Sequence, residues 1–206
     1  YLYGRSYFTD IPVPDRTKEA FDYFKGQSAK YWTNRGKYSQ GMIALYLNRF
    51  ENKVVANDIV KSLKENSTSS EEMGMYWPAN ESGFTWSQAP VETQSVLMEA
   101  FQEIAHDKAV VDEMKLWLLK NKQTNSWKST KSTAEACYAL LLTGSDWLGS
   151  PSAPVMTLGG KKLDAQPAEA GTGYFKQSWS GKEITASMAK LDVKNTNNNP
   201  AWGALY

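Results

Sequence analysis

The chain has one cysteine, Cys137, and one histidine, His106, in 206 residues. A single cysteine excludes an internal disulfide framework and a cysteine-based zinc site, and a single histidine excludes a histidine-rich metal centre. An excess of one charge is also missing: 23 Lys+Arg stand against 22 Asp+Glu, for a net charge of +1. Without a basic block there is nothing to hold a phosphate backbone, so no nucleic-acid partner is expected. No apolar run approaches the ~20 residues needed to span a bilayer. The nucleophile elbow G-x-S-x-G, the P-loop, G-x-G-x-x-G and H-E-x-x-H are all missing, so the sequence offers no cofactor motif.

What the chain does have is aromatic side chains, 13% of its residues, with 8 Trp and 11 Tyr. That content suits large contact surfaces or a sugar-binding cleft. Tyr1 is not an initiator methionine and no signal-peptide pattern follows it, so the chain reads as an excised piece of a longer protein.

Helical periodicity dominates the first two-thirds. After Pro12 and Pro14, Asp15 is a plausible cap for a helix carrying Phe21, Phe24, Ser28 and Tyr31 or Trp32. Further apolar stripes run through Ile43, Leu47 and Phe50, and through Val55, Ile59 and Leu63, the latter entered from Asn52. Between Glu65 and Ala89 the pattern lapses into Ser, Thr, Gly and Pro. There Met75-Tyr76-Trp77 and Phe84-Thr85-Trp86 are expected to pair as a hairpin around Asn80 to Gly83. Helix resumes from Pro90 (Thr93, Leu97, Phe101, Ile104), from Asp107 (Val110, Met114, Trp117, Leu118) and from about Thr130 to Leu142. Ser132 and Glu135 have capping-box spacing at the start of the last.

These six helices suggest antiparallel hairpins, and they repeat. Thr93 and its neighbours resemble Thr133 and its neighbours at an offset of 40 residues. Ahead of each stands a leucine-lysine pair (Leu63-Lys64, Leu119-Lys120), a polar loop and a tryptophan, Trp77 or Trp127. Hairpin units of this length bury their faces against neighbours, as in solenoids and closed α/α toroids. The expected fold class is therefore α+β: mainly α, a partial α/α toroid, then a small antiparallel β segment. The helical part is assigned to residues 1–146 and the β part to 147–206. In the latter, Val155 to Leu158, Tyr174 to Trp179, Glu183 to Val193 and Trp202 to Tyr206 read as strands, with turns at Gly159-Gly160 and Ser180-Gly181.

The toroid architecture invites three enzymatic readings. Terpene cyclases need clustered aspartates, and Asp107 and Asp112 are isolated. Prenyltransferases need a zinc site that Cys137 and His106 lack the spacing to build. Cys137 reads as a buried, inert thiol on an apolar helix face, and His106 as a helix-end imidazole beside exposed carbonyls. Glycan binding or cleavage needs carboxylates beside aromatic platforms, and Trp77, Glu81, Trp86 and Glu92 supply both ingredients as a candidate ligand-contact surface. The competing structural reading has Trp77 and Trp86 pinning a long loop onto helix ends.

The run Trp86-Ser87-Gln88-Ala89-Pro90-Val91-Glu92-Thr93-Gln94-Ser95 resembles the later helical repeats of the thioester-containing domain in the alpha-2-macroglobulin family. So does Trp117-Leu118-Leu119-Lys120-Asn121-Lys122, continued through Trp127-Lys128-Ser129-Thr130 to Thr133 and Ala139-Leu140. Pro200 to Tyr206 resembles the strand by which bacterial, Bacteroidetes-type members return to the neighbouring β-domain. The resemblance implies a broad-spectrum endopeptidase inhibitor, a trap anchored in the periplasm or outer membrane. It implies target proteases and the other domains of the same chain as partners, and no enzymatic activity. The thioester motif Cys-x-Glu-Gln does not occur, since Cys137 is followed by Tyr138-Ala139-Leu140, so no catalytic residue carries over. An incomplete toroid would also leave an apolar stripe open near Phe21, Phe24 and Trp32, from which self-association is expected.

Overall fold

The computed structural model describes residues 1–78, 89–122, 126–144, 154–164, 175–196 and 203. The chain divides into two compact units, Tyr1–Thr143 and Gly144–Tyr206.

The first unit is helical: α1 (Leu2–Arg5), α2 (Asp15–Tyr31), α3 (Lys37–Arg49), α4 (Lys53–Glu65), α5 (Pro90–Ala100), α6 (Lys108–Lys120) and α7 (Thr130–Leu142). Pro14, with φ −59° and ψ 139°, stands at the cap of α2, so Asp15 is the first helical residue rather than the cap. Its carboxylate lies in the first turn, at the positive end of the helix dipole. Within the expected Phe21–Phe24 stripe, Phe21 is covered, edge-on to Phe50 with ring centroids 5.1 Å apart, while Phe24 stays 59% exposed.

α3, α5 and α7 stand side by side, α5 in the middle; α4 packs on α3, and α6 on α5. Such a row of every second helix is what stacked α/α hairpins form, and it explains the uneven burial. α4 shows the one-sided pattern Ala56, Ile59, Val60, Leu63. α5 has neighbours on several sides, and every residue from Val91 to Ala100 is buried. α7 ends the row and buries Ser132, Ala136 and Ala139. Cys137 is therefore exposed, not buried as expected, since it lies off that stripe with Tyr138 and Leu141 on the open side. α5 runs on into a π-turn, Phe101–Ala105, closed by His106 at φ 51°. His106 holds that left-handed cap position with its side chain exposed.

Between α4 and α5 a hairpin forms, with a partner different from the one expected. β2 (Gly74–Tyr76) pairs antiparallel with β1 (Thr68–Ser70), matching Ser69 to Met75. Phe84–Trp86, the expected partner, lies outside the described residues. The serine-rich β1 carries no apolar alternation because all three of its residues are exposed. β2 packs on α6, where Tyr76 stacks on Trp117 at an interplanar angle of 17°.

Gly74 opens β2 at φ 69°, and a Cβ there would lie 2.1 Å from the Glu113 carbonyl oxygen. Gly74→Ala combines left-handed strain with a backbone clash and is expected to cost about 2–3 kcal/mol. Thermal unfolding checks this, and an unchanged midpoint would refute the tight seat of β2 on α6.

The second unit holds β3 (Val155–Leu158), β4 (Lys161–Lys162) and β5 (Leu191–Lys194), antiparallel in the order β4-β3-β5. Gly159 (φ 58°) and Gly160 (φ 80°) make the tight β3–β4 turn expected there. β3 and β5 match Val155 to Lys194 and Leu158 to Leu191. The mainly α chain thus ends in a small antiparallel segment, but with less strand than the alternation suggests. Residues 175–180 are irregular, and the run Glu183–Val193 gives strand only from Leu191. Local side-chain bonding takes the backbone elsewhere. Glu183 accepts from the Ser180 amide at 2.7 Å in a turn, and Thr185 caps the 3₁₀ turn Ala186–Ala189. Tyr174 and, apart from Gly203, the expected Trp202–Tyr206 strand lie outside the described residues.

Candidate functional site

The densest polar chemistry in the helical unit lies where α1 meets the ends of α3 and α5. On α5 and its π-turn, Glu99 and Glu103 are four residues apart and so share a face. Arg49 closes α3 opposite them. Its Nη2 donates to Glu99 Oε1 at 2.7 Å and to Glu103 Oε2 at 2.6 Å. Its Nε donates to both Glu103 oxygens, at 3.1 and 3.0 Å. Asn48 Nδ2 adds a 3.0 Å bond to Glu103 Oε1. The Arg49 and Glu99 side chains are only 14% and 3% exposed, and Glu103 31%.

α1 and the turn that follows it bring tyrosines to the same carboxylate. Tyr3 Oη donates to Glu99 Oε2 at 2.9 Å and Tyr7 Oη to Oε1 at 2.8 Å, while the two hydroxyls stand 2.7 Å apart. Two phenolic protons therefore serve three short contacts. The Arg49 guanidinium lies 4.2 Å from the Tyr7 ring centroid, and its Nη1 donates to Ser6 Oγ at 3.2 Å. Burial, then the bond to Tyr7 and the Glu99 charge, pushes the Tyr3 hydroxyl far above its ordinary value. Burial opposes the Arg49 charge, yet the bonds to Glu103, Tyr7 and Glu99 outweigh it and the guanidinium stays protonated. Tyr138 of α7 also reaches Tyr7, and burial followed by the Glu99 charge raises it too. Glu99 thus takes three donors and is only 3% exposed. Its chemistry is that of a clamp joining three elements, not of an exposed acid or base.

The residues singled out by sequence sit elsewhere. Trp77 is 2% exposed and its Nε1 donates to the Leu63 carbonyl in the last turn of α4, at 2.9 Å. Trp127 repeats the contact one hairpin later, donating to Leu118 at the end of α6 at 2.9 Å. Glu92, 5% exposed, accepts from Ser132 Oγ at 3.0 Å at the start of α7. Trp77 and Glu92 thus serve two different helix ends, and both are too buried to present a sugar platform. Glu81 and Trp86 lie outside the described residues.

Ser129, not Ser132, caps α7, its Oγ accepting from the Ser132 amide at 3.0 Å. Glu135 has its carboxyl raised by burial and by the charges of Glu92 and Glu99, against the opposing Lys131. Asp107 caps α6 through the Val110 amide as expected, and its bond to Lys64 holds its carboxyl low. Asp112 pairs with the buried Lys115 at 2.8 Å. Lys115 also donates to the Thr143 carbonyl at the same distance, tying the end of α7 to α6.

The Arg49 cluster was not among the sequence candidates. Its one legible sign is a pair of carboxylates four apart in a helix that is otherwise fully buried, which demands a cation. Among the described residues, no group of three or more His, Cys, Asp or Glu is placed to hold a metal ion, and no helix is long and apolar enough to cross a membrane. Comparisons with protein-family models, with curated proteins and with solved structures returned no match.

Proposed function

We propose that this chain is a structural segment of a macroglobulin-like endopeptidase inhibitor, supplying packing and presentation and no bond-making chemistry of its own. One observation supports this reading best. The leucine-lysine, loop and tryptophan repeat, whose second copy lies in the run that carries the resemblance, has a physical job performed twice: Trp77 pins the end of α4 and Trp127 the end of α6 through the same indole-to-carbonyl bond. A recurrent pin gives successive hairpins the same loop-to-helix geometry. It lets a row of helices form a stiff wall, the kind of element a trap needs beside a mobile bait. On this reading the partners are target proteases and the other domains of the parent chain, outside the cytoplasm.

The test uses the full-length protein that carries this segment. Incubated with several endopeptidases, it is expected to block their cleavage of protein substrates while sparing small peptide substrates. Methylamine treatment with intact-mass and free-thiol assays then separates covalent from non-covalent traps. Endopeptidases left fully active on protein substrates would overturn the reading.

A further inference from the structure

We propose that residues 1–11 form a detachable strap, and that the shelf of Arg49 and Glu99 beneath it is a docking site for a helical turn bearing two tyrosines four residues apart. In this structure Tyr3 and Tyr7 fill that site from within the same chain.

The strap is built to leave as a unit. Its backbone closes on itself, with Arg5 N–H bonded to the Tyr1 carbonyl, Ser6 to Leu2, Phe8 to Arg5 and Ile11 to Phe8. The Arg5 guanidinium donates to the Phe8 and Ile11 carbonyls, so it too faces inward to the strap. No residue of α1 is buried, although Leu2 and Tyr3 rest partly buried against the core and Ser6 is 3% exposed; Tyr7, Phe8 and Ile11 are 45%, 55% and 54% exposed. Pro12 and Pro14 follow, and proline cannot carry a helix from the strap into α2. Segments with few buried apolar contacts open at the low end of a protein's range of local stabilities.

The shelf is also built to be left. With the tyrosines gone, Arg49 still holds Glu99 at 2.7 Å and Glu103 at 2.6 Å, so no buried charge is stranded. What opening frees is specific: two acceptor positions on Glu99 and one face of the Arg49 guanidinium, together with the Nη1 donor now held by Ser6 Oγ. A ligand that fits must bring phenolic hydroxyls for the first and an aromatic ring for the second. Phenylalanine lacks the donor, and a phosphorylated tyrosine would bring negative charge onto Glu99. The matching partner is a short helical turn of the form Tyr-x-x-x-Tyr.

The experiment compares the full wild-type chain with its Tyr3→Phe/Tyr7→Phe variant, using hydrogen exchange and a synthetic peptide of residues 1–11. In the variant, the amides of Arg5, Ser6, Phe8 and Ile11 are expected to exchange at least tenfold faster, with α5 amides unchanged. The peptide should bind the variant at least tenfold more tightly than wild type, because an occupied site binds only in its open fraction. A peptide with phenylalanine at both positions should not bind. If the variant does not fold, wild-type exchange across sub-denaturing urea decides the matter: strap amides must open independently of urea while α5 follows global unfolding. Strap and α5 amides exchanging together, or a variant with a fast-exchanging strap that ignores the tyrosine peptide, would overturn the proposal.

Discussion

Replacing Arg49 by methionine is expected to lower the unfolding free energy by about 3–5 kcal/mol, the cost of stranding a buried charge by removing its partner. Glu99 is 3% exposed and would keep only its two tyrosine donors, while Glu103 would lose all three of its charge-assisted bonds from Arg49. Most of that loss is the desolvation of an unpaired carboxylate, so it should be recovered when the acids are neutralised together. The triple variant Arg49→Met/Glu99→Gln/Glu103→Gln is accordingly expected to lie closer to wild type than the single variant. Arg49→Lys should not substitute, because one ammonium cannot reproduce the fork that spans Glu99 and Glu103. Urea unfolding measures all three. A single variant with the wild-type midpoint would mean that Glu99 keeps its solvation, against the burial described above.

Trp77→Ala is the second large effect, expected at about 3–5 kcal/mol, as for removal of a fully buried aromatic. The indole fills the space between the end of α4 and Phe101, whose ring lies 6.3 Å away centroid to centroid. Trp77→Phe separates the two contributions. It keeps most of the apolar contact but leaves the Leu63 carbonyl without its indole donor, a loss of about 1–3 kcal/mol. Thermal unfolding of both variants is the check. Equal losses for Ala and Phe would show that the hydrogen bond, not the packing, holds the loop.

The helices were legible because their stripes are periodic and their boundaries chemical. Pro90 starts α5, Asp107 caps α6, and α7 covers Thr130–Leu142 as the pattern indicates. The repeat was legible for the same reason, and the two tryptophans give it a meaning in contacts. Errors gathered where local sequence carries no face. Cys137 sits among apolar neighbours, and only the position of α7 at the end of the row decides that this side is open. β1 is serine-rich and polar, so its pairing with Gly74–Tyr76 left no alternation to read. The Arg49 cluster joins residues 50 and 96 positions apart in pairs such as Arg49–Glu99 and Tyr3–Glu99, a distance over which sequence spacing says nothing.

The complete burial of α5 bears on the order in which the chain can be finished. Synthesis runs from the N-terminal side, so α3 and α4 are available before α5 emerges, but α7 is not. One side of α5 must then wait in water for some forty residues of further synthesis, the interval between Pro90 and Thr130. Glu92 faces that side, and the Ser132 hydroxyl it accepts from arrives with α7. A carboxylate placed there keeps the waiting surface hydrated and discourages premature pairing with other nascent chains. When α7 docks, the same carboxylate takes the Ser132 hydroxyl beside the positive end of the helix, and an early safeguard becomes the helix's electrostatic anchor.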